Sequence, residues 1–243
     1  VIFERFETAL RQQIDAIRLN NPQSGHHYHL QRYLYTFAFL PEVPTSAQKP
    51  KLLDIGGAYG VFADALKSIG LYQLTVGDVV DSEQVIKFDC ERDVYPFEND
   101  SFDVVLFTEV LEHLTEDPMF ALTEINRVLK IGGQILLTTP NLSSWKAINR
   151  ALKHENPYLF SIYVRTGGTD RHNREYTYNE VVKLIEAAGF EIERAEAIDV
   201  YDHDLGAVPI VGYDQENRGD TTFCLARKIG PVRDRKPNWL YWP

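Results

Sequence analysis

The chain has 243 residues, enough to bury one sizeable core and too few for two full catalytic domains with linkers. Hydrophobic residues make up 44% and charged residues 25%, which excludes wholesale disorder, and 25 basic against 35 acidic side chains leave a net charge of -10 that argues against nucleic acid as a partner. Two cysteines, Cys90 and Cys224, fit no disulfide framework and no CxxC spacing, and no apolar run reaches membrane-spanning length, so a cytoplasmic protein is expected.

Residues 1–40 read as helical. Phe3, Phe6, Leu10, Ile14 and Ile17 recur at helical intervals, and a second apolar stripe runs from Leu30 to Leu40 before Pro41, Pro44 and Pro50 break the pattern. This predicts an N-terminal helical cap over residues 1–45. Within it His26, His27 and His29 cluster around Tyr28, but no acidic or cysteine partner accompanies them, so packing or covering of a ligand is expected rather than a metal.

From Lys51 short apolar runs alternate with helical periodicity. Strands are expected at Lys51–Ile55, Gln73–Val76, Val85–Phe88, Phe102–Phe107 and Gln134–Thr139, the last introduced by Gly132-Gly133. Val61, Phe62, Ala65, Leu66 and Ile69 form a helix face that stops at Gly70, and a second helix carries Leu122, Ile125, Val128 and Leu129 inward. Thr177 and Glu180 make a capping box for a third helix, with Tyr178, Val181, Val182 and Ile185 as its stripe and Gly189 as its stop. Strands Phe190–Ile198 and Thr221–Ala226 complete the pattern, which predicts an α/β fold over residues 46–230 with a parallel sheet and helices on both faces. Arg227, Lys228, Arg233, Arg235 and Lys236 read as a solvated basic tail. The aromatic tail at 231–243, with Trp239, Leu240, Tyr241 and Trp242, and the stretch Tyr201 to Asp220 are expected to cover an active site or bury a homodimer interface.

The densest chemical signal is Leu52-Leu53-Asp54-Ile55-Gly56-Gly57-Ala58-Tyr59-Gly60, a strand that runs into a glycine-rich turn and a helix. Glycines let the backbone approach a ligand, and the helix start offers unpaired N–H groups, although the same turn also suits a loop that binds nothing. Asp78 closes the second strand, beside the crevice at the strand carboxyl ends, where it can accept bonds from both hydroxyls of a ribose. To this point a nicotinamide-dependent oxidoreductase fits as well, though its G-x-G-x-x-G turn is replaced here by G-G-A-Y-G.

The following block separates the two. Phe88-Asp89-Cys90, Tyr95-Pro96-Phe97, Ser101 to Val105, Glu109-Val110-Leu111-Glu112-His113 and Arg127 to Gly133, in that order and spacing, resemble the class I S-adenosylmethionine-dependent methyltransferases, particularly the branch with ubiquinone-pathway, sugar and small-molecule enzymes. The resemblance spans Lys51 to Asn141, and more loosely continues to Lys228. It implies a Rossmann-like, seven-stranded, mostly parallel sheet whose last strand is antiparallel, with S-adenosylmethionine bound across the first four strand ends. Asp54, Gly56, Gly57, Ala58 and Gly60 would then line its methionine and ribose part, Asp78 would hold the ribose, Asp89 and Cys90 would meet the adenine, and Thr108 and Glu109 would face the methionine end. Ala58 stands where the family usually has a second glycine. Arg32 is placed within reach of the cofactor carboxylate.

On the acceptor side, Thr169-Asp170-Arg171-His172-Asn173-Arg174-Glu175-Tyr176-Thr177 resembles a His/Arg-rich loop of methyltransferases from bacterial glycan and lipid clusters. His172 becomes a candidate base, the alternative being a surface histidine. Were a helix to begin near Glu109, then Glu109, Glu112 and His113 would share one face, a trio similar to the divalent-metal site of ubiquinone-pathway and small-RNA O-methyltransferases, with His172 as a further ligand. The alternative leaves Glu109 against the cofactor and His113 as packing. His172, His113 and Glu112 are therefore the candidate catalytic residues, and O-methylation of a small-molecule, glycan or lipid hydroxyl is the expected reaction. N-methylation, which needs no base, and a non-catalytic binding module on the same fold are the alternatives.

Overall fold

The structure is a computed structural model that describes residues 1–43, 48–58, 60–158, 160, 171–201 and 209–242. Of the residues singled out above, Pro44, Tyr59, Thr169, Asp170 and positions 202–208 lie outside them. The elements in chain order are α1 (Ile2–Asn20), α2 (Leu30–Phe39), β1 (Lys51–Ile55), α3 (Val61–Ile69), β2 (Gln73–Asp78), β3 (Ile86–Lys87), β4 (Phe102–Thr108), α4 (Pro118–Val128), β5 (Leu129–Pro140), α5 (Trp145–Leu152), α6 (Tyr178–Ala187), β6 (Phe190–Ile198) and β7 (Thr221–Lys228). The seven strands form one sheet in the order β3-β2-β1-β4-β5-β7-β6, with β7 antiparallel to both neighbours.

The central strands are apolar on both sides because helices cover both faces. Leu53, Ile55, Val105, Phe107, Ile135 and Leu137 join one core with Leu122 and Ile125 of α4 and Val181, Leu184 and Ile185 of α6. The alternate residues Leu52, Val104, Leu106 and Leu136 join a second core with α1, α2 and α3, as the period of two in a strand requires. On α1 the buried Phe6, Leu10 and Ile14 lie four residues apart, and Phe6 stacks on Phe37 of α2 with ring centroids 4.0 Å apart.

Local signals set most boundaries. Gly70 ends α3 in the left-handed conformation at φ 68°, and the Thr177/Glu180 capping box opens α6. Asp117 caps α4, accepting from Phe120 N at 3.1 Å, with Pro118 in the first turn.

Four local expectations need correction. β3 is two exposed residues, Ile86–Lys87, because it is an edge strand with one partner. Leu129 begins β5 rather than ending a helix, and a register shift between Phe102 and Val104 absorbs the Gly132-Gly133 segment. Helix α5, capped by Ser144, was not foreseen. The basic cluster is not simply a solvated tail. Lys228 is 6% exposed, donating to Leu129 O at 2.6 Å and pairing with Asp100 at 2.9 Å, and Arg235 clamps Asp117 at 2.6 and 3.0 Å. Leu240 and Tyr241 of the tail pack on the α4/α6 core, whereas Trp242 is exposed. No helix among the described residues is long and apolar enough to cross a membrane.

Candidate active site

The register of the parallel strands assembles the first half of the site. Ile55 lies opposite Gly77 and Phe107, so the Gly56 turn, Asp78 and Thr108 leave the carboxyl edge side by side. Gly56 has φ 82°, and a Cβ there would stand 2.6 Å from Val110 Cγ2, so any other residue would be strained and would displace Val110. At Gly57 a Cβ would meet Asp54 Oδ2 at 2.5 Å. Gly60 caps α3 from the left-handed region. Ala58, in place of a glycine, donates its backbone N–H to Asp78 Oδ2 at 3.1 Å, and Asp78 Oδ1 accepts from Val80 N at 3.1 Å. Asp54 is buried, and desolvation together with the Asp78 charge pushes its carboxyl up to about 7.

Phe88 N donates to Asp78 O at 2.9 Å, which brings Asp89 and Cys90 to the same edge. The Asp89 carboxylate accepts from Glu91 N at 2.9 Å and pairs with Arg92 at 3.3 Å, and burial with the Asp89 charge pushes the Cys90 thiol up to about 12. The turn thus offers backbone donors at a helix start, a close-approach surface and carboxylates on the next two strand ends. These features fit an amino-acid-bearing nucleoside such as S-adenosylmethionine.

The second half lies beyond β4. The helix expected from Glu109 does not form. Glu109 takes φ 56°, a 3-10 turn spans Leu111–His113, and α4 starts only at Pro118. Glu109 is turned into a polar clamp. Its N–H donates to Thr138 O at 2.8 Å, its Oε1 accepts from Thr138 Oγ1 at 2.8 Å, and its Oε2 pairs with Arg32 of α2 at 2.6 Å. Burial raises this carboxyl, but Arg32 and the Thr138 hydroxyl outweigh it and hold Glu109 below the usual range. Arg32 is accordingly bonded to Glu109.

Glu109 is therefore absent from the residues close enough to share an ion. Among the described residues that group is Glu112, His113 and His172, with ligand atoms within 4.8 Å of one another. Glu112 is fully buried. Its Oε2 accepts from Thr139 Oγ1 at 2.8 Å, its Oε1 has no hydrogen-bond partner among the described residues, and desolvation plus the Glu109 charge push its carboxyl well above the usual range. The His113 and His172 rings meet edge-on, with centroids 5.0 Å apart at 89°. His113 Nδ1 lies 2.9 Å from Arg171 O, and Asn173 donates to the backbone carbonyls of Glu112 at 2.8 Å and His113 at 2.6 Å. The loop that carries His172 is thus fastened to the turn that carries Glu112 and His113. His172 is 9% exposed, which excludes a surface histidine.

Above this group, Phe160 lies 4.9 Å from the His172 ring and 5.5 Å from Tyr201, whose hydroxyl is 3.1 Å from His29 Nδ1. His26 Nδ1 lies 3.3 Å from the Tyr33 hydroxyl, and His27 Nδ1 lies 3.2 Å from Ser24 O. The N-terminal histidines are engaged in packing and hydrogen bonds. The sequence did not single out Thr138, Thr139 or Asn173 as site residues. The two threonines at the end of the apolar β5 run were the available signal, and for Asn173 it was its place in the polar stretch 169–177.

Comparison with known proteins agrees with this geometry. The methyltransferase-domain family matches residues 23–195. A protein of Mycolicibacterium smegmatis named a probable S-adenosylmethionine-dependent methyltransferase is 34% identical over 98 residues, and the match spans 40% of this chain but only 32% of that relative's length. Among solved structures, an S-adenosylmethionine-dependent methyltransferase from Thermotoga maritima shares the fold with a TM-score of 0.58 and 20% identity, over 93% of this chain and 99% of that one. The Burkholderia thailandensis 1,6-didemethyltoxoflavin-N1-methyltransferase, with bound S-adenosylhomocysteine, has a TM-score of 0.56 and 15% identity, over 92% of this chain and 88% of that one. The chain belongs to the methyltransferase-domain family, the S-adenosylmethionine-dependent class I methyltransferases.

Proposed function

We propose that this chain transfers a methyl group from S-adenosylmethionine to a hydroxyl oxygen of a small-molecule, glycan or lipid acceptor, with His172 as the base. The observation that carries this reading is the buried His172 imidazole, edge-on to His113 and beside Glu112 at the β4 and β5 ends. On this reading Gly56, Gly57, Ala58, Gly60 and Asp54 line the methionine and ribose part of the cofactor, Asp78 accepts from its ribose hydroxyls, Asp89 and Cys90 border the adenine, and Thr108 and Glu109 border the methionine end. Helix α2 lies beside them through the Arg32–Glu109 pair.

When bound, the cofactor supplies a methyl group activated by its positive sulfur. The protein holds the acceptor oxygen in line with that methyl and shields both from water. As the new O–C bond forms and the S–C bond breaks, His172 takes the hydroxyl proton. With an acceptor identified from a panel of phenols, sugars and lipid alcohols, H172A lowers turnover by about 10²–10⁴ and leaves S-adenosylhomocysteine affinity unchanged. Unaltered turnover would reject His172 as the base, and failure of every hydroxyl in the panel with transfer to an amine would reject O-methylation.

Glu112 Oε1 supports a second reading of the same group. A buried carboxylate oxygen without a hydrogen-bond partner among the described residues, 3.8 Å from His113 Nε2, suits a divalent ion held by Glu112, His113 and His172. Such an ion would lower the acceptor hydroxyl's pKa. In that case chelation abolishes activity and magnesium, manganese or zinc restores it. Full activity after chelation, with no metal by elemental analysis, leaves His172 as a direct base.

A further inference from the structure

We infer that Glu175 is the positioning residue that decides which nitrogen of His172 faces the acceptor. The inference rests on His172 working at the site, and it adds a residue that plays no part in the reading above. Glu175 is 1% exposed, and its Oε1 lies 2.8 Å from His172 Nδ1. A carboxylate has only acceptor oxygens, so His172 Nδ1 must carry the hydrogen, and in the neutral ring Nε2 then bears the lone pair. A base, or a metal ligand, needs that lone pair.

The dyad stands on a rigid footing. The next residue, Tyr176, pairs with Asn141 at the end of β5, and Leu142 N donates to Tyr176 O at 2.9 Å. Thr177 then opens α6 through its capping box. On its other sides the His172 ring is held by His113 and Phe160. Glu175 therefore fixes both the tautomer and the rotation of the ring, as a carboxylate behind a working imidazole does.

The test reads the tautomer directly and needs no acceptor. The full chain, labelled with ¹³C and ¹⁵N in histidine and saturated with S-adenosylhomocysteine, is studied by long-range ¹H–¹⁵N correlation at about pH 8, above the ordinary imidazole range. His172 is assigned by the signals lost in H172Q. The wild type is expected to show the Nδ1–H form. E175L, whose side chain can neither accept from Nδ1 nor donate to it, is expected to let His172 leave the Nδ1–H form, and E175D is expected to keep Nδ1–H. A wild-type ring in the Nε2–H form, or an E175L spectrum with the tautomer unmoved, overturns the inference. Should E175L fail to fold, E175A replaces it in the same measurement. A purely structural role for Glu175 lowers Tm without moving the tautomer. If the tautomer behaves as expected while H172A transfers methyl normally, His172 is not the base and the positioning role of Glu175 still stands.

Discussion

Asp54 lies one residue before the end of β1 and Asp78 ends the neighbouring β2, and the Asp78 charge acts on Asp54 beside the glycine turn. Burial and the Asp78 charge raise the Asp54 carboxyl from 3.8 to about 7. The folded state therefore holds a proton that the unfolded chain releases near pH 4, so this group's contribution is fully present below about pH 4 and is lost as pH rises to about 7. For a group 4% exposed the whole effect is on the order of 4 kcal/mol, at about 1.4 kcal/mol per pH unit. D54N should remove it. Denaturant unfolding from pH 5 to 8 should show wild-type stability falling relative to D54N by a few kcal/mol, and parallel curves would mean that Asp54 ionises normally. At Glu109 the opposite balance holds, because Arg32 and Thr138 outweigh burial and hold its carboxyl below the usual range, while burial and the Glu109 charge raise that of Glu112.

At the scale of elements, the sheet edge where the site lies depends on contacts at the opposite end of the molecule. Lys228 at the end of β7 satisfies Leu129 O at the start of β5, the strand whose far end supplies Thr138 and Thr139. K228M would keep most of the aliphatic packing but strand that buried carbonyl. The expected cost is about 1–3 kcal/mol, or about 2–4 °C in Tm per kcal/mol for a chain of this size. Equal melting temperatures for K228M and wild type would show that water replaces the ammonium without loss.

For the whole molecule, the edge proposed to hold the cofactor is built from four consecutive strands, with α2 beside it. A ligand that binds only this assembled edge stabilises the fold by mass action, about 2.7 kcal/mol at one hundred times Kd. Thermal melting with S-adenosylhomocysteine should therefore rise by about 5–10 °C at that concentration. D78A should weaken binding by about 1.5–3 kcal/mol, the usual worth of a hydrogen bond to a charged group, as read by calorimetry. Unchanged affinity would remove Asp78 from the site, and tighter binding of a nicotinamide nucleotide would contradict the cofactor assignment.

What the sequence by itself determined is what short-range chemistry decides. The strand-turn-helix of residues 51–69, the strand ending in Asp78 and the Thr177/Glu180 cap were legible because periodicity, glycine and capping side chains act within a few residues. α5 was not read although Ser144 caps it and Trp145 and Ala147 form its buried face. The tertiary structure alone decided the partners of the polar side chains. Glu109 leaves helical geometry because β5 and α2 supply its hydrogen bonds, and Glu112 meets Thr139 across 27 residues only through the β4–β5 register. His113 meets Arg171 across 58 residues because residues 171–173 lie against the turn that carries Glu112 and His113. Even His172 and Glu175, three residues apart, had no legible pairing, since burial and the anchoring of Tyr176 on β5 orient the two side chains towards each other.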